Sequence, residues 1–478
     1  MNQSERVELE KWIELAWDKA IELGLNPFPT HFEVVPDHII YELGAYGLPA
    51  RFSHWTFGRD YHRQKTSYEY GLSRIYEIVF NTNPTEAFLL ESNSLISHKL
   101  VVAHVLGHSD FFRNNLYFEQ TDRQMVEKVR LHAERIRGYE AELGTMEVED
   151  FVDRALTIEQ HFDPSVHLDQ TDTDAEIKKS HSEYEDLWRL GQEQGSESMM
   201  KKDASRKLPS RPHTDLLRFI AEYARDMRDW QRDVLQIVRE EMIYFYPQMR
   251  TKIMNEGWAS YWHEKILSEL PLSSDEHLEF RRMHASVLSA GSRMSMNPYH
   301  VGYQILKDIE RRWNGELNSE DSEEDWRGEK VTYSGASGLE KIFEVRRSES
   351  DVSFLRKYLT ARLVRNLDLY TYHLEEENGE LRWVVTDTDW RHVRDALVDG
   401  MTNMGVPVVW VEDGDYQRRG ELFLRHAHDG KDLDADYTSR TLRAIESLWG
   451  RPVHLETVVN GEKVMISCTD NQLSQVAV

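Results

Sequence analysis

Two widely separated stretches, VVAHVLGHSDFFRNN at 101–115 and MNEGWASYWHEK at 254–265, each carry metal-type side chains at helical spacing. His104 and His108 stand four apart, so on a helix both imidazoles leave one face a turn apart and can reach one ion. Glu256 and His263 stand seven apart, which also keeps one face. If these side chains share a centre, the helices that bear them must pack together across everything between them. That long-range requirement constrains the fold more than any local propensity.

Composition narrows the class. At 478 residues with 40% apolar and 11% aromatic content, the chain has the make-up of a folded globular protein with room for two or three domains. The opening MNQSERVELEKWIELAW is amphipathic, and no stretch of about 18 uncharged apolar residues occurs, so the expectation is a cytoplasmic protein with neither leader nor membrane insertion. The single cysteine, Cys468, excludes an internal disulfide and cysteine-rich zinc or iron–sulfur sites, leaving His and carboxylates as ligands for any metal. A net charge of −26 argues against nucleic acid, because such binding draws its affinity from Lys and Arg.

Leu9, Trp12, Ile13, Ala16, Trp17, Ala20 and Leu23 follow the rhythm of a buried helical stripe, with Ser4 as the expected cap and Gly24 and Pro27 as the stop. The run TSYEYGLSRIYEIVF at 66–80 reads as helix or buried strand, with helix favoured for most of it, EAFLLE at 86–91 as strand, and 98–113, 123–143 and 147–161 as helices. Residues 1–163 and 213–317 form the expected helical core, interrupted by a charged insertion or linker at 164–212. An acidic linker at 318–344 leads to a smaller α+β domain at 345–478, which ends in a hairpin built on Asn460-Gly461. The fold class expected is therefore α+β, a mainly helical body with an α+β appendage.

The peptidase motif His-Glu-x-x-His places a general base beside its first histidine, but position 105 is Val. NEGWASYW resembles the segment by which gluzincin-type metallopeptidases bring a third ligand to zinc, which makes the helical body metallopeptidase-like. In that reading His104, His108 and Glu256 hold zinc, or iron as the alternative, with His263 a fourth ligand or a proton-transfer group. The competing reading makes Glu256 an ion-pairing residue of a core helix and the histidines core polar groups. A base would come from elsewhere: Glu69 and Glu77, eight apart and so on a similar helical face, or Glu91 or Asp110. His132, Glu134, Glu159 and His161 could form a carboxylate–histidine site of di-iron type, although a solvated helix face is the preferred reading. His426 and His428 alternate on a strand and are expected to be exposed. Walker loops, dinucleotide fingerprints and nucleophile elbows are absent.

Taken together, NPFPTHFEVVP, RFSHWTFGRDYHRQKTSYEYGLSRIYEIVFNTNPTEAF, ESNSL, AHVLGHSDFFRNN, HAERIRGYE and NEGWASYWHEK resemble the SpoVR family, stage V sporulation protein R and its relatives, over residues 5–315. The resemblance implies a role in spore cortex formation or, in non-sporulating organisms, in stress response. It implies as partners a PrkA-type serine kinase and a von Willebrand type A-like protein. Two functions follow as expectations: a metal-dependent hydrolase of amidase or peptidase type, or a non-catalytic regulatory scaffold.

Overall fold

Leu9, Trp12, Ala16 and Ala20 are the buried stripe of the first helix, α1 (Gln3–Glu22). Asn2, rather than Ser4, caps it: its Oδ1 accepts the Glu5 N–H while the Glu5 carboxylate accepts the Asn2 N–H. The computed structural model describes every residue except 70–76, 164–207, 210, 291–295, 318–325, 328, 330, 332, 334 and 378–379. In chain order its elements continue with β1 (Thr30–Val35), α2 (Asp37–Tyr46), α3 (Trp55–Glu69), β2 (Glu77–Phe80), β3 (Thr85–Leu90) and α4 (Leu95–Asn114). Next come α5 (Met125–Leu143), α6 (Thr145–Thr157), α7 (Leu216–Tyr223), α8 (Asp229–Arg250), α9 (Lys252–Glu269), α10 (Ser274–Val287) and α11 (Pro298–Trp313). The remainder is α12 (Gly338–Ser348), α13 (Asp351–Tyr358), α14 (Ala361–Asn366), β4 (Thr371–Glu377), β5 (Glu380–Asp387) and α15 (Trp390–Met401). It closes with β6 (Val409–Tyr416), β7 (Glu421–His426), α16 (Ala435–Trp449), β8 (Val453–Val459), β9 (Glu462–Thr469) and β10 (Gln472–Ala477). The fold is α+β and mainly helical.

The strand expected near 86–91 forms as β3; the run at 66–80, expected to be mostly helix, begins in α3 as far as Glu69 and has its middle, 70–76, outside the described residues. Glu77–Phe80 is a strand, with Ile78 opposite Phe88 and Val79 opposite Ala87 of β3. β-Branched neighbours stiffen this stretch and suit it to a pleated, half-buried surface. The expected insertion at 164–212 and acidic stretch at 318–330 fall largely outside the described residues.

Two compact units emerge, Met1–Ala133 with Tyr244–Gly405, and Glu134–Ile243 with Val406–Val478. This differs from a serial division at residue 345. Residues 345–405 join the first unit because long-range polar contacts hold them there: Arg346 pairs with buried Asp110 at 2.8 Å, and the Asp351 carboxylate accepts the Ile253 and Met254 N–H groups at the start of α9. Composition reports neither contact.

In the first unit, α4 is buried without interruption from Ile96 to Phe112, as befits a helix at the centre of a core. Around it lie α1, α9, α10, α12 and the sheet β1-β3-β2, in which β1 and β3 run parallel. Glycines let the central helices touch backbone to backbone. A Cβ on Gly107 of α4 would lie 2.7 Å from Ala259 Cα of α9, and one on Gly257 of α9 would lie 2.5 Å from Gly302 Cα of α11. The second unit carries the five-stranded sheet β10-β9-β8-β7-β6, whose parallel pair β7 and β8 is connected through α16. The Asn460-Gly461 hairpin turn forms with both φ angles positive. No described helix is long and apolar enough to cross a membrane.

His98, on the first turn of α4, is fully buried with neither ring nitrogen hydrogen-bonded. Burial first, and the chain's amino terminus second, lower its pKa to about 4. An unfolded chain takes up this proton near pH 6.5, whereas the folded one refuses it until about pH 4. The stability is therefore complete above pH 6.5 and drains away as pH falls through that window, by about 2–3 kcal/mol. Urea unfolding from pH 7 to 4 is expected to show His98→Leu losing that part of the wild-type slope; an unchanged slope would refute it.

Candidate metal centre

Three elements of the first unit deliver four side chains to one place. β2 supplies Glu77, α4 supplies His104 and His108, and α9 supplies Glu256. Ligand-type atoms of Glu77, His104 and His108 lie within 4.8 Å of one another, the one such cluster among the described residues. His104 Nε2 is 3.7 Å from Glu77 Oε1 and 3.7 Å from Glu256 Oε2, while His108 Nε2 is 3.4 Å from the same Glu256 oxygen. Both imidazoles thus turn Nε2 toward carboxylate oxygen. Their opposite nitrogens are taken: His104 Nδ1 is hydrogen-bonded to His263 Nδ1 at 3.0 Å, and His108 Nδ1 to Asn255 Oδ1 at 2.9 Å. Tyr299 of α11 stacks its ring over His104 at 5.9 Å.

This donor set fits a divalent cation. His104 Nε2 and Glu256 Oε2 are buried and lack a hydrogen-bond partner, a costly condition that a cation among them would relieve. Nitrogen and carboxylate oxygen suit zinc or iron, and the bonds to the rear nitrogens are the outer-shell contacts that orient ligating histidines. The electrostatics agree. Burial disfavours the His108 imidazolium, but Glu256, Asn255 and Glu77 outweigh it and raise its pKa. Burial likewise works against the Glu256 carboxylate, yet His104 and His108 hold its pKa well below the usual range. For Glu77 burial prevails over the two imidazoles and, with Glu256 adding repulsion, raises the pKa. Two carboxylates of opposite tendency share one pocket.

Among the other residues singled out by sequence, His263 lies behind His104 rather than beside the converging nitrogens. Burial first, then the imidazoles of His104 and His284, hold its pKa well below the ordinary histidine range. Glu69 ends α3, and its side chain lies outside the described residues; Glu77 is on a strand, so the two do not share a helical face. Asp110 is buried and committed, accepting from Trp258 Nε1 at 2.9 Å, the Asn26 N–H at 2.7 Å and Arg346. Glu91 is exposed. His132 is buried and Glu134 is exposed. His426, expected to be exposed, is buried and hydrogen-bonded to Thr457. Asn255, His284 and Tyr299 went unnoticed in the sequence. Only Asn255, adjacent to Glu256, carried a signal of position; His284 and Tyr299 reach the site through helix packing alone.

Comparison with known proteins divides the chain once, near residue 406. The family described as SpoVR like protein matches residues 3–406, and the SpoVR-like C-terminal domain matches 407–460. The junction lies within one residue of the second unit's return at Val406. "Uncharacterized protein YcgB" of Escherichia coli (strain K12) is 29% identical over 461 residues, spanning 90% of this chain and 88% of that protein. No solved structure matches.

Proposed function

The chain belongs to the SpoVR family, and from that premise we propose that it is a metal-dependent hydrolase of amidase or peptidase type. One observation carries the reading: two Nε2 atoms and two carboxylates converge, with His104 Nε2 and Glu256 Oε2 buried and without a hydrogen bond while the rear nitrogens are engaged. His104, His108 and Glu256 would hold zinc, or iron. The ion would supply Lewis-acid polarisation of a substrate carbonyl. Glu77 Oε1, arriving from a separate element, would take a proton from attacking water, which supplies the base that Val105 cannot. Membership in a sporulation-linked family favours a peptide-like or cell-wall-precursor substrate.

A second reading makes the protein a regulatory scaffold for a PrkA-type serine kinase and a von Willebrand type A-like protein. It draws on burial: the side chains of Glu77 and Glu256 are only 14% and 18% exposed, and closed sites are structural. Elemental analysis of chelator-washed protein reloaded with zinc is expected to give about one equivalent per chain, as for a site with three protein ligands. No uptake would overturn both metal roles. In cobalt-loaded protein, a visible spectrum that shifts on adding a hydroxamate reveals an open position and supports the hydrolase; an unresponsive spectrum supports the scaffold.

A further inference from the structure

We propose that His263 and His284 are positioning residues that fix the tautomer of His104 and so present its Nε2 lone pair to the centre; the inference rests on the metal-dependent reading above. Three helices contribute one imidazole each. His263 Nδ1 of α9 lies 3.0 Å from His104 Nδ1 of α4, and His263 Nε2 lies 2.8 Å from His284 Nδ1 of α10. Both nitrogens of His263 are therefore occupied, and its side chain is fully buried, so no water replaces either partner.

A neutral imidazole has one N–H and one lone pair. When rings are joined nitrogen to nitrogen, each donor must meet an acceptor, and a chain of three then has only two satisfied neutral arrangements. In the first, His104 Nδ1–H donates to His263 Nδ1, and His263 Nε2–H donates to His284 Nδ1. His104 Nε2 is then a lone pair directed toward Glu77 and Glu256, as a ligand requires. In the second every proton is reversed, and His104 Nε2 carries hydrogen where a cation would sit. A cation between the carboxylates selects the first arrangement through all three rings. His263 thus acts through His104 without touching the ion.

Zinc affinity of the full-length protein, measured by competition with a chromophoric chelator, tests this. In His263→Gln the amide oxygen accepts from His104 and the amide N–H donates to His284, so the polarity of the chain is retained. His263→Leu retains neither bond. The glutamine variant is expected to bind within about threefold of wild type and the leucine variant about 10–100-fold more weakly, the cost typical of losing an outer-shell partner. His284→Leu, one ring further away, is expected to weaken binding by about 3–10-fold and covers the case in which His263→Leu does not fold. Thermal midpoints of the metal-free proteins separate this from packing. A purely structural role would lower the midpoints while leaving the affinities equal, and that result would overturn the inference, as would a glutamine variant as weak as leucine. Wild-type protein that takes up no zinc overturns the hydrolase reading and this one together; wild type that binds zinc no better than His263→Leu sinks this one alone.

Discussion

His108→Ala protein, washed with chelator and reloaded, is expected to retain less than about a tenth of an equivalent of zinc. The apparent binding free energy of a protein zinc site is about 10–16 kcal/mol shared over its ligands, so one lost ligand costs about 3–4 kcal/mol, or two to three orders of magnitude in affinity. The loss here is compounded, because His108 also supports the buried Glu256 carboxylate at 3.4 Å. Glu256→Gln keeps the volume and removes the charge, and is expected to fail in the same way. His428→Ala, which removes a side chain bonded to Asp432 on the second unit, is expected to leave metal content unchanged. Full zinc retention in both His108→Ala and Glu256→Gln, with folding confirmed by circular dichroism, would move the ion elsewhere.

Gly302→Val is expected to be the most destabilising single substitution considered for the helical unit, by more than about 4 kcal/mol. Any Cβ at position 302 would overlap the carbonyl oxygen of Ile253 and lie 2.8 Å from Gly257 Cα, so the obstacle is helix backbone rather than a flexible side chain. Relief requires α11 to move away from α9, which carries Glu256 and His263. The urea midpoint should fall sharply, and metal affinity with it. Gly138→Ala on α5 provides the contrast. Nothing lies within 4 Å of a Cβ there, and helix propensity alone predicts a gain of about 0.5–1 kcal/mol. Equal midpoints for Gly302→Val and wild type would contradict the close-packed interface.

Much of the local architecture was legible because it rests on short-range periodicity. The stripe of α1, the extent of α4 and the Asn460-Gly461 turn each depend on side chains within a few residues of one another. At Glu77–Phe80 the apolar spacing suits either period, and only pairing with β3 decides for strand. The division into units escaped for a similar reason. Asp110 with Arg346 and Asp351 with the start of α9 are contacts between positions far apart, and composition records no distances.

At the centre, sequence by itself determined the donor types and two of the three pieces that bear them. Four-residue and seven-residue spacings place His104 with His108, and Glu256 with His263, whatever surrounds them. Tertiary structure alone decided that Glu77 completes the cluster from a strand, that His263 turns to the back of His104, and that His284 extends the chain of imidazoles. The physical reason is geometric. A helix defines which side chains share its own face, but which face meets which neighbour depends on how closely backbones approach, and here glycines at 107, 257 and 302 set that approach.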